Sequence, residues 1–109
     1  MKYFTESELA CKCCGVDKTT PEFKEKLDEL REAYGKPLIV NCAYRCPKHN
    51  AEVGGVKNSQ HLLGIAADIK DVTKGFRDLA FSLGWTLGLY KRFTHCDFRK
   101  EQITFKGDK

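Results

Sequence analysis

Two short runs, Ser59-x-His61-x-x-Gly64-x-Ala66-x-Asp68 and Thr94-His95-Cys96-Asp97, constrain this chain more than any other feature. They supply two imidazoles and a carboxylate, the ligand set of a catalytic zinc site with one position left open. The first run reads as a turn entering a strand. Ile65 to Lys70 is a short run bounded by Gly64 and Asp71, and Gly64 lets the backbone bend sharply there. His61 then lies on the loop before the strand and Asp68 within it. Ala66 shares the face of Asp68, because side chains alternate along a strand. Ala67 and Ile69 flank Asp68, so its carboxylate is partly buried and needs a partner, which a metal would provide. The second run also reads as a strand. It carries Phe93, His95 and Asp97 on one face and Thr94, Cys96 and Phe98 on the other. An Asp beside a His on one strand is either an orienting partner of a metal ligand or an acid/base group.

The rest of the chain gives an α+β order. Thr20 caps a helix with Pro21 in its first turn. Phe23, Leu27, Leu30 and Tyr34 recur at helical spacing, and Gly35 ends it. Leu38-Ile39-Val40 reads as a short buried strand, residues 47–54 as a short helical turn, and Asn58 to Leu63 as loop. Thr73 to Leu83 is a second helix, capped by Thr73 and closed by Gly84. Trp85 to Tyr90 is a strand with Trp85, Leu87 and Leu89 on one face, forming a hairpin with Thr94 to Phe98. Gln102 to Phe105 adds an edge strand. The expected fold is one small α+β domain over residues 1–109, with a central, mostly antiparallel sheet flanked by helices.

At this point the chain resembles a known family. The two runs, read as Ser59-x-His61-x-x-Gly64-x-Ala66-x-Asp68 and Phe93-Thr94-His95-Cys96-Asp97, resemble the zinc D-Ala-D-Ala carboxypeptidase family of metallopeptidases (peptidase family M15), in particular its short phage and bacterial cell-wall members. Flanking segments agree: Phe4-Thr5-Glu6-Ser7-Glu8-Leu9-Ala10-Cys11, Leu27-x-x-Leu30-Arg31 followed by Gly35-Lys36-Pro37, Asn41-Cys42-Ala43-Tyr44-Arg45-Cys46-Pro47, and Asn50-x-x-Val53-Gly54-Gly55. The resemblance runs from Phe4 to Phe98. It implies a hedgehog/D-Ala-D-Ala peptidase-like fold and one catalytic Zn2+ held by His61, Asp68 and His95. It implies that Arg45 binds the substrate carboxylate or the oxyanion, and that Ser59 supports the site in substrate binding. The implied activity is hydrolysis of a peptide bond in peptidoglycan stem peptides, as a carboxypeptidase or an endopeptidase such as a phage endolysin. Many relatives carry Glu or Asp three residues before the last His; here that position is Arg92. Asp97 is then the candidate catalytic base, with orientation of His95 as its other role. A non-catalytic zinc- and wall-binding module, or a phage structural component of the same fold, is the alternative.

Composition bounds partners and location. The 109 residues carry a formal charge of +4, with Lys91, Arg92, Arg99 and Lys100 around the second run. A basic surface suits an anionic partner such as cell wall. No nucleic-acid motif is present, so a nucleic-acid partner is not expected, and the protein is expected to be a monomer. No run approaches the roughly 20 apolar residues of a membrane span, so no membrane association is expected. Met1 to Glu6 lacks a signal-peptide core. The expectation is synthesis in the cytoplasm and action on the cell wall, after phage-mediated release if the source is a phage. Six cysteines occur, at 11, 13, 14, 42, 46 and 96. Cys11-x-Cys13-Cys14 could join Cys42 or Cys46 in a second, structural metal site or a disulfide, and otherwise the cysteines are small buried hydrophobes. Cys96 faces away from His95 and is outside the metal shell. His49, in a polar turn, reads as a loop residue rather than a ligand.

Overall fold

The computed structural model describes residues 3–12, 14–52, 54 and 59–106. Cys13, Val53, Gly55 and Asn58, used above, lie outside them. Along the chain run α1 (Glu6–Leu9), α2 (Pro21–Tyr34), β1 (Val40–Cys42), α3 (Pro47–Glu52), a 3-10 turn (Gln60–Leu63), β2 (Ala66–Ile69), α4 (Lys74–Ser82), β3 (Thr86–Leu89), β4 (Thr94–Asp97) and β5 (Thr104–Lys106).

The helices start and stop where local chemistry sets them. At α1, the Glu8 N–H donates to Thr5 Oγ1 and the Thr5 N–H to Glu8 Oε1, a reciprocal capping box. At α2, Thr20 Oγ1 accepts from the Phe23 N–H at 3.1 Å, and Gly35 closes the helix in the left-handed region at φ 73°. Thr73 caps α4 through the Phe76 N–H. Phe23, Leu27 and Leu30 of α2 and Phe76 and Ala80 of α4 are buried. They share one apolar core with Ala67, Ile69, Leu87 and Cys96 from the sheet and Trp85 just before β3. Edge-on ring contacts of Trp85 with Phe23 and Phe98 fill its centre.

The sheet has the order β1-β2-β4-β3-β5. β1, β2, β4 and β3 pair antiparallel, and β5 joins β3 in parallel. The first strand differs from the expected Leu38-Ile39-Val40: it begins at Val40, and Ile39 is 57% exposed. β1 lies at the sheet edge, where strand alternation turns Ile39 outward while Val40 enters the core. The loop expected from Asn58 to Leu63 contains the 3-10 turn instead. Among the described residues, no helix is long and apolar enough to cross a membrane.

Candidate metal centre

Strand register builds the site. Cys42 stands opposite Asp68, Asp68 opposite His95, His95 opposite Gly88, and Gly88 opposite Phe105. These residues form one row across the sheet with side chains on a common face. The neighbouring row, Ala67, Cys96 and Leu87, points the other way into the core. Gly88 leaves the space this row needs, since a Cβ there would sit 2.6 Å from the Phe105 ring and 3.0 Å from His95 Cβ.

His61 arrives from the 3-10 turn. Ser59 Oγ accepts from the His61 N–H at 3.2 Å. Gly64 closes the turn at φ 73°, and its carbonyl accepts from the Thr20 N–H at 3.0 Å. A Cβ on Gly64 would lie 2.1 Å from the Lys18 carbonyl oxygen, so only glycine allows the turn to dock this closely on the segment before α2.

The outer partners of the two imidazoles fix their tautomers. His61 Nδ1 lies 2.6 Å from the Ala43 carbonyl oxygen. A carbonyl only accepts, so Nδ1 carries the proton and Nε2 presents a lone pair. That lone pair is 3.2 Å from Asp68 Oδ1. His95 Nε2 lies 2.7 Å from Asp97 Oδ2, and His95 Nδ1 lies 3.1 Å from Asp68 Oδ1. Burial opposes ionisation of Asp97, but bonds from Arg99 and His95 outweigh it and bring its pKa down to about 2. An ionised carboxylate only accepts, so His95 donates through Nε2 and turns a second lone pair toward Asp68. With the two rings protonated, Asp68 is held well below the usual carboxylate range: burial raises its pKa, and the hydrogen bonds and positive charge of His61 and His95 more than reverse that.

Both imidazoles therefore turn a lone pair toward the same carboxylate oxygen, Asp68 Oδ1, an arrangement that a cation relieves. A proton is one such cation. Burial lowers the His95 pKa, but its contacts with Asp68 and Asp97 raise it overall. A metal ion is the other. Tetrahedral zinc with bonds of about 2.0–2.1 Å places its ligand atoms about 3.3 Å apart, close to the two separations onto Asp68. The residues present fit zinc.

The surroundings are protein-built. His61 is 2% exposed, His95 8% and Asp97 0%. Asp97 is clamped: Arg99 donates from Nε to Oδ1 at 2.8 Å and from Nη2 to Oδ2 at 2.6 Å, and the Arg99 backbone N–H also reaches Oδ1. Arg45 follows β1, donating from Nη2 to Ser59 Oγ at 3.2 Å and from its backbone N–H to the His61 carbonyl at 3.4 Å. Arg92 is exposed in the turn between β3 and β4. His49 is half-buried on α3, its backbone N–H donating to Cys46 Sγ. A groove of about 620 Å³ between α4 and the sheet is lined by none of the site residues.

A profile of the family described as peptidase M15 matches residues 2–97. The chain belongs to the peptidase M15 family. The zinc D-Ala-D-Ala carboxypeptidase of Streptomyces albus G is similar, 45% identical over 56 residues, which are 50% of this chain. The match spans 22% of that relative's length.

The M15 match takes in His61, Asp68, His95 and Asp97, and the fold brings all four together with Arg45 and Ser59 nearby. Sequence reasoning missed two neighbours in this M15 member. The sequence places Arg99 only among the basic residues flanking the second run, whereas in the fold it holds Asp97. Its signal was the spacing Asp97-x-Arg99, which puts both side chains on one side of an extended chain. From the sequence, Cys42 is a partner for the Cys11–Cys14 run in a structural metal site or a disulfide, or a buried hydrophobe, and not a neighbour of Asp68. Its sulfur lies with the ligand atoms of His61 and Asp68, all within 4.8 Å of one another. Burial pushes its thiol up to about 11. Only the β1–β2 register places it there, and no local pattern announces that register.

Proposed function

We propose that the protein is a zinc peptidase that hydrolyses a peptide bond in bacterial peptidoglycan stem peptides. The observation that carries this reading is the approach of His61 Nε2 and His95 Nδ1 to the same oxygen, Asp68 Oδ1, with both imidazole tautomers fixed from outside. Zinc bound there would polarise a scissile carbonyl and acidify a water molecule. Ala43 and Asp97 hold the ligand rings in the tautomers that leave the coordinating lone pairs free. Asp97 serves here as an orienting group rather than the base, because it is fully buried and both of its oxygens are occupied by Arg99 and His95. Arg45, anchored by Ser59, binds the substrate carboxylate; its guanidinium keeps donors beyond the one given to Ser59. The net charge of +4 favours approach to an anionic wall. Membership of a peptidase family and likeness to a D-Ala-D-Ala carboxypeptidase support the substrate class.

A second reading is a zinc- and wall-binding module without catalysis. It is favoured by Arg92 standing where many relatives carry an acid, and by the engagement of Asp97. The test is chelator-sensitive release of new amino groups from purified peptidoglycan, with His61→Ala as control and fragment masses identifying the bond. Release by the zinc-loaded wild type, abolished in the variant, is expected. Retention of zinc and wall binding with no release from several wall types would establish the module instead.

A further inference from the structure

A second cluster of metal-ligating side chains lies outside the centre described above. The sulfurs of Cys11, Cys14 and Cys46 all fall within 4.8 Å of one another. Zinc–thiolate bonds of about 2.3 Å place tetrahedral sulfurs about 3.8 Å apart, so only a small contraction separates this arrangement from a coordination shell. No disulfide joins Cys11, Cys14 or Cys46 to another described cysteine, and a disulfide would use two of the three sulfurs and leave the third.

The backbone is organised around the sulfurs. Cys11 and Cys14 lie in a tight turn closed by the Cys11 N–H donating to the Val16 carbonyl at 2.7 Å and the Gly15 N–H to the Cys11 carbonyl at 2.8 Å. Gly15 takes φ 74° to permit it. The Cys46 N–H donates to Cys11 Sγ, and the His49 N–H donates to Cys46 Sγ, each at 3.4 Å. N–H groups aimed at sulfur stabilise thiolate charge, and thiolate is the form a metal takes. The Tyr44 N–H donates to the Leu9 carbonyl at 3.0 Å, so the two segments already meet beside the sulfurs.

We propose that Cys11, Cys14 and Cys46 hold a structural zinc ion, with a fourth donor from solvent or protein, that ties the N-terminal turn to the segment carrying Arg45. Binding releases the thiol protons to solvent and leaves three thiolates on the metal. Soft sulfur ligands select zinc over magnesium or calcium. The site stands independently of the peptidase reading, since it shares no ligand with the His61–Asp68–His95 centre. Its mechanical role follows from sequence adjacency: Cys46 directly follows Arg45, so the ion fixes the backbone from which Arg45 reaches Ser59.

The test is Co2+ titration of the anaerobically reduced protein, read by the sulfur-to-cobalt charge-transfer absorption that a histidine–carboxylate site cannot give. A thiolate band is expected in the wild type and in the His61→Ala/His95→Ala variant, and zinc content should fall by one equivalent in Cys14→Ser. Cys14 is exposed, so this substitution removes a ligand without opening the core, and circular dichroism confirms the fold. Cys42→Ser should keep the band, which separates this site from the thiol beside the first centre. Absence of the band in folded, reduced wild type would overturn the proposal, as would a band that survives Cys14→Ser and disappears in Cys42→Ser.

Discussion

The contacts of Asp97 favour an orienting role over that of a catalytic base. As a catalytic base it would need an oxygen open to substrate, but it is fully buried with both oxygens bonded. Asp97→Asn should therefore weaken zinc binding, by about 10–100-fold on the scale of outer-partner effects. It should leave most of the turnover intact once zinc saturates the site. Loss of turnover at full zinc occupancy would show instead that Asp97 moves the proton. Competition with a chromogenic chelator supplies the affinity, and amino-group release at graded zinc concentrations supplies the rate. The residue types of the centre were plain in the sequence, because His and Asp at these spacings are chemically distinctive. The use of each nitrogen was not. The tautomers depend on the Ala43 carbonyl and Asp97, and a carbonyl oxygen has no sequence signature.

Elements position these groups, and small changes within them should propagate to the metal. Gly88→Ala places a methyl against His95 Cβ and the Phe105 ring. It should lower zinc affinity more than it lowers stability, because the Phe105 ring on edge strand β5 can move aside while His95 is pushed off line. Isothermal titration beside thermal melting separates the two effects. Thr20→Ala removes the side-chain acceptor at the start of α2. It should cost about 1 kcal/mol of stability and leave zinc affinity unchanged, measured by urea unfolding of the apo and zinc-loaded protein. α2 and α4 were legible because their caps, apolar spacing and closing glycines lie within a few residues of one another. β1 was legible only in part: its pairing with β2 sets where it starts and brings Cys42 to Asp68, and such register depends on partners distant in sequence. The parallel joining of β5 to β3 was hidden for the same reason.

At the scale of the molecule, one sheet divides two tasks. One face packs on α2 and α4 and supplies the core; the other presents the row Cys42, Asp68, His95, Gly88. Stability and metal binding should thus respond to different conditions. Asp71 belongs to the scaffold. Burial raises its pKa, but bonds with Thr73 and Tyr34 and the charge of Lys36 lower it overall. A lowered folded pKa contributes stability above the ordinary carboxylate value, and that contribution is lost as pH falls through the folded value. Tyr34→Phe should therefore destabilise most near neutral pH, and its difference from wild type should shrink below about pH 4. Chemical denaturation across that range reads this directly. Loss of zinc from the His61–Asp68–His95 centre, in contrast, should lower the melting temperature at neutral pH while leaving the α2–α4 core folded, since Asp68 and His95 lie off the core face and His61 on the 3-10 turn. The α+β class followed from the order of helices and strands. What the sequence could not show was that the row bearing His95 and Asp68 also bears Cys42, and that Arg99 faces inward.

The most direct measurement is an anomalous diffraction map of crystals grown with zinc, with data on both sides of the zinc edge. A peak within bonding distance of His61 Nε2, Asp68 Oδ1 and His95 Nδ1 together, with His95 Nε2 still on Asp97, is the predicted result. A peak bound through His95 Nε2 with Asp97 as a ligand, or no peak between these side chains in zinc-replete crystals, would contradict it.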